Sequence, residues 1–555
     1  MQLSQTAALR MEPPGAGFDP ALRLGRVVSV DGSRAVIAAQ TASHHDSNPL
    51  SIGKLVSIDS GGGSRVIGVI YAAAAQQADG HADLDTTLVK VELLGEIRED
   101  SHKRRPAFDR GIQKYPAVGA ITSAAGASDL AIIYDYGSAE TIRIGRLSQD
   151  SSIDATVRVR DLLQKHFAVL GTTGSGKSSA VTLMLREILA AKDGVRIMLI
   201  DPHNEYKGAF TDQAEVISPR NLNLPFWLFN FEEITDVIYR RRPGVDEEVD
   251  ALADLIPLAK ARYAQKQERG SSLIRRELDD AGYTVDSPVP YRMSDVLAMI
   301  DEQLGKLEGK DDRPKLRRLK SRIKSVMQDT RYQFMFSNRT IEDTMAELLR
   351  TLFRIPAGGR PITIVEMAGF PAEVVDSVVS VLCRLAFDLG MWGNGRLPLL
   401  VVCEEAHRYV PADKRMGFGP TRRAISRIAK EGRKYGVYLG CVTQRPAELD
   451  PTILSQCSTV FAMRMANEAD HAIIRSAVSD AASSVLESLP SMGNREALAF
   501  GEAVSMPMRV RFSSLPSHLL PNTKAEDLPG GASGNLTGDF VEEIVRRWRS
   551  VAVRD

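Results

Sequence analysis

Between about residues 22 and 146, apolar positions come in short β-branched runs. Val27-Val28-Ser29-Val30, Ala35-Val36-Ile37, Val66-Ile67-Gly68-Val69-Ile70 and residues 88–94 are examples, each closed by Gly, Asp or Ser nearby. Short strands with regular turn signals predict a small barrel or sandwich. From about Val157 the pattern changes. Near-continuous Val/Ile/Leu runs at 166–170, 195–200, 362–366, 399–403 and 438–443 alternate with longer segments of helical period. Such runs predict parallel strands buried on both faces, so the main fold class is α/β with a parallel sheet. Ligands of such sheets bind beyond the carboxyl ends of the strands. Residues 223–338 interrupt the alternation. They are charged and helical in period, with breaks near Pro243, Gly270 and 282–290, and predict an inserted helical bundle. Residues 496–500 and 508–512 read as a hairpin. A Gly/Pro/Ser linker at 527–538 is followed by one amphipathic helix at 537–551, with Phe540, Val541, Ile544, Val545 and Trp548 on one side.

Composition narrows the class. The 555 residues suggest two to four domains, and 43% hydrophobic with 25% charged residues fits a soluble globular protein. Lys plus Arg and Asp plus Glu both number 70, so any nucleic-acid contact must come from a local patch. Cys383, Cys403, Cys441 and Cys457 lie in apolar contexts without metal-type spacing and read as reduced core residues of a cytoplasmic protein. No apolar run is long enough for a membrane span, and no secretory leader is evident at the start. The nine histidines form no metal pattern, and His44-His45 falls in a polar loop.

The chemistry starts at Gly171-Thr172-Thr173-Gly174-Ser175-Gly176-Lys177-Ser178, which fits G-x-x-x-x-G-K-[ST] between a predicted strand and a predicted helix beginning near Ser179. The glycines let successive N–H groups point inward as an anion nest, and the helix N-terminus adds its dipole. ATP and Mg²⁺ are the implied ligands, with Lys177 toward the β and γ phosphates and Ser178 on the metal. A second pair of groups follows the strand at 399–403, namely Glu404 and Glu405. Glu404 is assigned to the Mg²⁺ shell with Ser178, and Glu405 to the attacking water. Gln444, after the strand at 438–443, is expected between the phosphate loop and the Glu-Glu strand, sensing the γ-phosphate. Residues 422–434 form a helix rich in cations. Its place in the order suggests the sheet's edge, where an arginine would face a neighbour's nucleotide. Arg433 is the first choice for that role and Arg427 the second. Residues 313–324 are also strongly basic. They read either as a phosphate-contacting segment or as a solvated face paired with acids such as Asp311 and Asp312.

These blocks together resemble the HerA family of hexameric DNA translocases, relatives of FtsK among the RecA-like ATPases. The likeness is carried by residues 166–178, by Asp201-Pro202-His203-Asn204-Glu205-Tyr206, by Glu404-Glu405-Ala406-His407-Arg408-Tyr409-Val410-Pro411, by residues 428–436 and by residues 444–457. It covers most of the chain. Glu404 stands where Asp is usual in the family, and Asn204 where Gly is usual. The resemblance implies a RecA-like P-loop ATPase core at 151–222 and 339–525. It also implies an N-terminal β-barrel at 1–150 of the family's own type, an inserted helical bundle at 223–338, and a linker with a C-terminal brace helix at 526–555. It further implies a homohexameric ring around double-stranded DNA, ATP held between subunits, and Arg433 supplied by the neighbour. Pore contacts would come from residues 408–415 or from loops beyond the strands. An effector partner, a nuclease or a sirtuin-like NAD hydrolase, is expected on the barrel face, in DNA end processing or anti-phage defence. Two other readings stay open. One is a ring scaffold that binds ATP to activate an effector with little motor activity. The other is a secretion or conjugation ATPase, against which the missing membrane anchor counts.

Overall fold

A computed structural model describes residues 23–40, 50–78, 81–99, 105–148, 150–240, 245–268, 282–305, 313–336, 342–370, 372–477 and 485–521. The expected C-terminal linker and brace helix lie outside them, as do His44, His45, Asp311 and Asp312. The described residues fall into two compact units, one within Met1–Arg158 and Arg464–Phe512, the other within Val159–Met463 and Ser513–Asp555.

The first unit holds the predicted barrel. Its strands are β1 (Arg23–Asp31), β2 (Arg34–Gln40), β3 (Leu55–Gly61), β4 (Ser64–Ala78), β5 (His81–Glu99), β6 (Pro106–Asp109) and β7 (Ile121–Ala124). The order β2-β1-β7-β3-β4-β5 closes on itself through antiparallel β2–β5 pairing, Arg34 opposite Glu92 through Gln40 opposite Thr86. Strand β6 is appended to the far end of β5, Glu96 opposite Asp109. Val27, Ile37, Val56, Ile58, Val66, Ile70, Val89 and Val91 fill the interior. Register shifts in β1, β3 and β4 supply the local bends that closure of a short-stranded barrel requires. A second apolar cluster covers the outside of β3 and β4, where Leu55, Ile67 and Val69 meet Leu130 and Ile133 of the helix Ala127–Ile133. Strands β8 (Thr141–Leu147) and β9 (Asp154–Arg158) also belong to this unit. So does the predicted late hairpin, β17 (Glu496–Gly501) with β18 (Met508–Phe512), which pairs with β8 at Val510 opposite Leu147.

The second unit carries an all-parallel sheet. Its strands are β10 (Phe167–Leu170), β11 (Arg196–Asp201), β12 (Ala214–Ile217), β13 (Ile362–Glu366), β14 (Leu399–Cys403), β15 (Val437–Thr443) and β16 (Thr459–Met463), in the order β12-β13-β11-β14-β15-β10-β16. Every residue of β10, β14, β15 and β16 is buried, as the continuous apolar runs predict. Each buried Val or Leu contributes on the order of 2 kcal/mol, so these strands are fixed and only their tips carry polar chemistry. The helices Ala372–Trp392 and Gly419–Glu431 pack on each other and on β15. The cationic helix Gly419–Glu431 therefore connects two central strands and lies over the sheet, not at its edge. The sequence order suggested an edge because it does not reveal that β10 and β16 continue the sheet beyond β15.

The insertion contains the helices Phe231–Tyr239, Asp246–Glu268, Met293–Gly305 and Arg313–Met327, the last three packed on one another. Asn230 and Glu233 form a capping box at the start of the first. Leu316, Leu319, Ile323 and Val326 form the buried face of Arg313–Met327, while its cations stand on the other sides. Among their acid partners are Glu248, which takes Arg318 and Arg322, and Asp301, which takes Lys320.

Candidate nucleotide-binding site

The run 171–178 turns sharply between β10 and the helix Lys177–Ala191. Gly171 has φ 157° and Gly176 φ 99°, and a Cβ on Gly171 would come within 2.8 Å of the Met463 Cβ. Only glycine fits there without strain. The first bond of the following helix is Ala180 N to Gly176 O, 2.9 Å. The N–H groups of Lys177, Ser178 and Ser179 precede it, free of intrahelical acceptors and aimed beyond the strand's end. Lys177 is buried and donates to the Thr172 carbonyl at 3.1 Å. Burial lowers its pKa, while Glu404, Glu405 and Glu205 act to raise it.

Glu404 and Glu405 stand at the end of β14. Strand β15 lies between β14 and β10, so the carboxylates and the phosphate loop are separated by two strand spacings, about 10 Å. Glu404 accepts a hydrogen bond from the Tyr206 hydroxyl at 2.8 Å. Burial pushes its carboxyl up to about 8, against the pull of that hydrogen bond and with a further push from Glu405. Glu405 takes a left-handed backbone, φ 50°, uncommon for a residue of its size. Its Oε2 lies 3.3 Å from His407 Nδ1 and accepts from Gln444 N at 3.5 Å. The Gln444 side chain meets the Thr173 hydroxyl on the phosphate loop. Gln444 thus touches both halves of the site.

Two residues here had no role read from the sequence. Glu205 Oε2 accepts from Ser178 Oγ at 3.0 Å, and Tyr206 holds Glu404. Both are delivered by the turn after β11, where the Asp201 carboxylate accepts from His203 N at 3.2 Å and from Tyr206 N at 3.0 Å. Asn204 has φ 58° in this turn. Asn is among the few side chains that enter the left-handed region readily, which is how it stands in for Gly. The signal for Glu205 and Tyr206 was their place at a strand's carboxyl end.

Three carboxylates therefore surround one ammonium in a largely buried space. A donor set this short of positive charge suits a divalent cation, which would favour ionised Glu404. Among the described residues no group of three or more His, Cys, Asp or Glu is placed to hold a metal alone. Mg²⁺ here would take one or two protein ligands and complete its shell with phosphate oxygens and water.

Arg433 is remote from this cluster. It is exposed, just before the amino end of β15, while Gln444 follows the other end. Arg427 stacks on the Phe387 ring at 4.1 Å and lies 3.7 Å from Asp388, so it is tied to the helix Ala372–Trp392. His166 organises this end of the sheet. Leu439 N donates to its Nδ1 at 3.0 Å, which leaves the proton on Nε2, donated to the Ala429 carbonyl at 3.0 Å. Burial, with a smaller push from Arg433, lowers its pKa to about 4. The unfolded chain takes up that proton near pH 6.5 and the folded chain does not until about pH 4. The stabilisation is full above pH 6.5 and lost as pH falls through that window. Unfolding measured at pH 6.5 and about pH 5 should differ by roughly 2 kcal/mol more in the wild type than in His166→Asn. Equal pH slopes would remove His166 as the cause.

The family model for the central domain of the helicase HerA matches residues 142–386. The chain is 27% identical over 458 residues to the DNA double-strand break repair helicase HerA of Pyrococcus furiosus, covering 77% of each. It is 23% identical over 511 residues to the protein of the same name from Sulfolobus acidocaldarius, covering 87% of this chain and 92% of the relative. Among solved structures, VirB4 of Thermoanaerobacter pseudethanolicus aligns with 69% of this chain and 98% of its own at 15% identity and a TM-score of 0.48.

Proposed function

From the premise that this chain belongs to the HerA helicase family of P-loop ATPases, we propose that it is an ATP-driven translocase or helicase acting on double-stranded DNA as a homohexameric ring. The observation that carries the motor reading is the Gln444 bridge. One residue contacts the phosphate loop through Thr173 and the Glu405 carboxylate through its own N–H, and it opens the loop that continues from β15. A change at the γ-phosphate then moves a surface loop.

In this reading the loop N–H groups and Lys177 hold the phosphates of ATP. Ser178 and Glu404 would hold Mg²⁺, which when bound offsets phosphate charge. Tyr206 orients Glu404, and Glu205 is poised to release Ser178 to the metal. Glu405 positions a water in line with the γ-phosphorus and takes its proton at a carboxylate oxygen as the bond to the leaving oxygen breaks. Arg433 of a neighbouring subunit faces the phosphates across the seam. The two HerA relatives are double-strand break repair helicases by name, and DNA end processing with a nuclease or other effector on the barrel is the role we propose. No helix among the described residues is long and apolar enough to cross a membrane.

Duplex DNA is expected to raise ATP turnover severalfold. The purified protein should displace a strand with ATP and fail to do so with a non-hydrolysable analogue. A protein that hydrolyses ATP at the same rate with and without DNA, and displaces nothing, would be a scaffold instead.

A further inference from the structure

The basic helix of the insertion carries a feature that the ATPase site does not use. Arg318, Ser321, Arg322 and Ser325 recur at three- and four-residue spacing and form one stripe on Arg313–Met327, opposite its buried Leu and Ile positions. With Arg240 they line a cavity of about 400 Å³, and Lys324 borders the adjoining hollow. Behind this lining lies Glu248, with no exposed surface. Glu248 accepts from Arg318 Nε at 2.7 Å, from Arg322 Nε at 3.1 Å and from the Tyr239 hydroxyl at 3.1 Å. One buried carboxylate thus anchors two guanidinium groups by their inner nitrogens. The Arg322 group also lies 5.0 Å above the Tyr239 ring. Anchoring by Nε leaves the outer Nη atoms, the fork that binds oxyanions, outside these two bonds to Glu248.

The acid lining the adjoining hollow is Asp329, engaged by Arg240 at 3.2 Å and by Arg331 at 2.7 Å. Four cations around the cavity and its border therefore face two carboxylates, both already bonded. The other lining donors are serine hydroxyls. Donors arriving from several directions match a tetrahedral phosphate better than a planar carboxylate, which one fork satisfies. The side chains are also held before any ligand arrives, so little entropy is lost on binding.

We propose that this cavity is a binding site for nucleic-acid backbone phosphates, a contact on the helical insertion separate from the ATPase site. The inference rests on the DNA-motor reading and adds a second place where the protein grips its track. Its consequence is electrostatic and independent of base sequence.

The test is titration of a labelled DNA duplex with the full chain, by anisotropy, over a range of salt. A Ser321→Glu/Ser325→Glu variant changes two exposed positions and leaves Glu248 and its arginines in place. Arg318→Gln removes one fork but can still donate to Glu248. Lys320→Gln removes one charge from the same helix at a residue paired with Asp301, outside the cavity. The expected result is about a tenfold or greater loss of affinity for the double variant. The log–log salt dependence should also become shallower by roughly one for each phosphate that is no longer neutralised. Arg318→Gln should show a smaller loss of the same kind, and Lys320→Gln much less. The double variant and Lys320→Gln should elute and melt like the wild type, while Arg318→Gln, which takes one charged partner from the buried Glu248, should elute like it and melt lower. Wild-type affinity and salt slope in both cavity variants would overturn the proposal. So would a loss confined to competing inorganic phosphate or polyglutamate, which would assign the cavity to another anion. A wild-type protein that binds no DNA would overturn this proposal and the motor reading together, whereas intact wild-type binding with indifferent variants overturns this one alone.

Discussion

Glu405→Gln is expected to cut ATP turnover by about 10²–10⁴ while leaving nucleotide binding and assembly in place. The amide keeps the shape of the carboxylate, so the left-handed turn at Glu405 and its neighbours His407 and Gln444 need not move. What it removes is a base able to take a proton from water. Glu404→Gln should act differently, because Glu404 sits against Tyr206 and Lys177 on the cation side of the site. Its loss should appear first as a higher Mg²⁺ requirement. Steady-state hydrolysis and nucleotide binding measured on both variants separate the roles. Turnover at the wild-type rate in Glu405→Gln would sink the assignment of the water-activating residue, and the reverse pattern would exchange the two glutamates.

Arg433→Ala is expected to cost about 10³–10⁵ in rate, again without loss of binding. Geometry makes this a prediction about two subunits. Arg433 and Gln444 flank opposite ends of the seven-residue β15, which spans about 23 Å. An arginine cannot cross that distance, so it cannot serve the site of its own chain. Mixing Arg433→Ala protomers with Glu405→Gln protomers should therefore restore part of the turnover. At some seams an intact Glu405 would meet an intact Arg433. Two inactive parents that stay inactive when mixed and reassembled would remove Arg433 as a residue acting in trans. Arg427→Ala should be the weaker variant, since that side chain is held by Phe387 and Asp388.

The sheet was legible because burial on both faces leaves a local mark. A run such as Leu399-Leu400-Val401-Val402-Cys403 needs no distant information to be read as a strand. The phosphate loop was legible for the same reason, since its chemistry is contained in eight consecutive residues. The placement of Gln444 between loop and carboxylates followed from strand ends alone, and the structure brings those groups together. Pairings across long stretches of chain were not legible. Tyr206 meets Glu404 because β11 lies beside β14, Ser178 meets Glu205 from the helix that follows β10, and strand order is a property of the folded sheet. The basic helix shows the same limit. Its charges were plain, but the carboxylate that organises Arg318 and Arg322 lies 70 and 74 positions earlier. The expected edge position of Gly419–Glu431 failed on strand order too. The roles proposed for Glu404, Glu405 and Arg433 are chemical assignments that the variants above test.

The closed N-terminal cylinder constrains who can join it. Around the closed circle itself no edge is open, and the spare main-chain rungs among the described residues lie on the β4–β5 hairpin beyond Ile70 and on the one appended strand, which is four residues long and begins with a proline. A visiting protein cannot enlist at the closed circle by lending a segment to extend the ladder. It must be recognised by the outward side chains, which can change one at a time without disturbing the framework beneath. Such a coat can be rewritten for a new companion while the engine stays as it is.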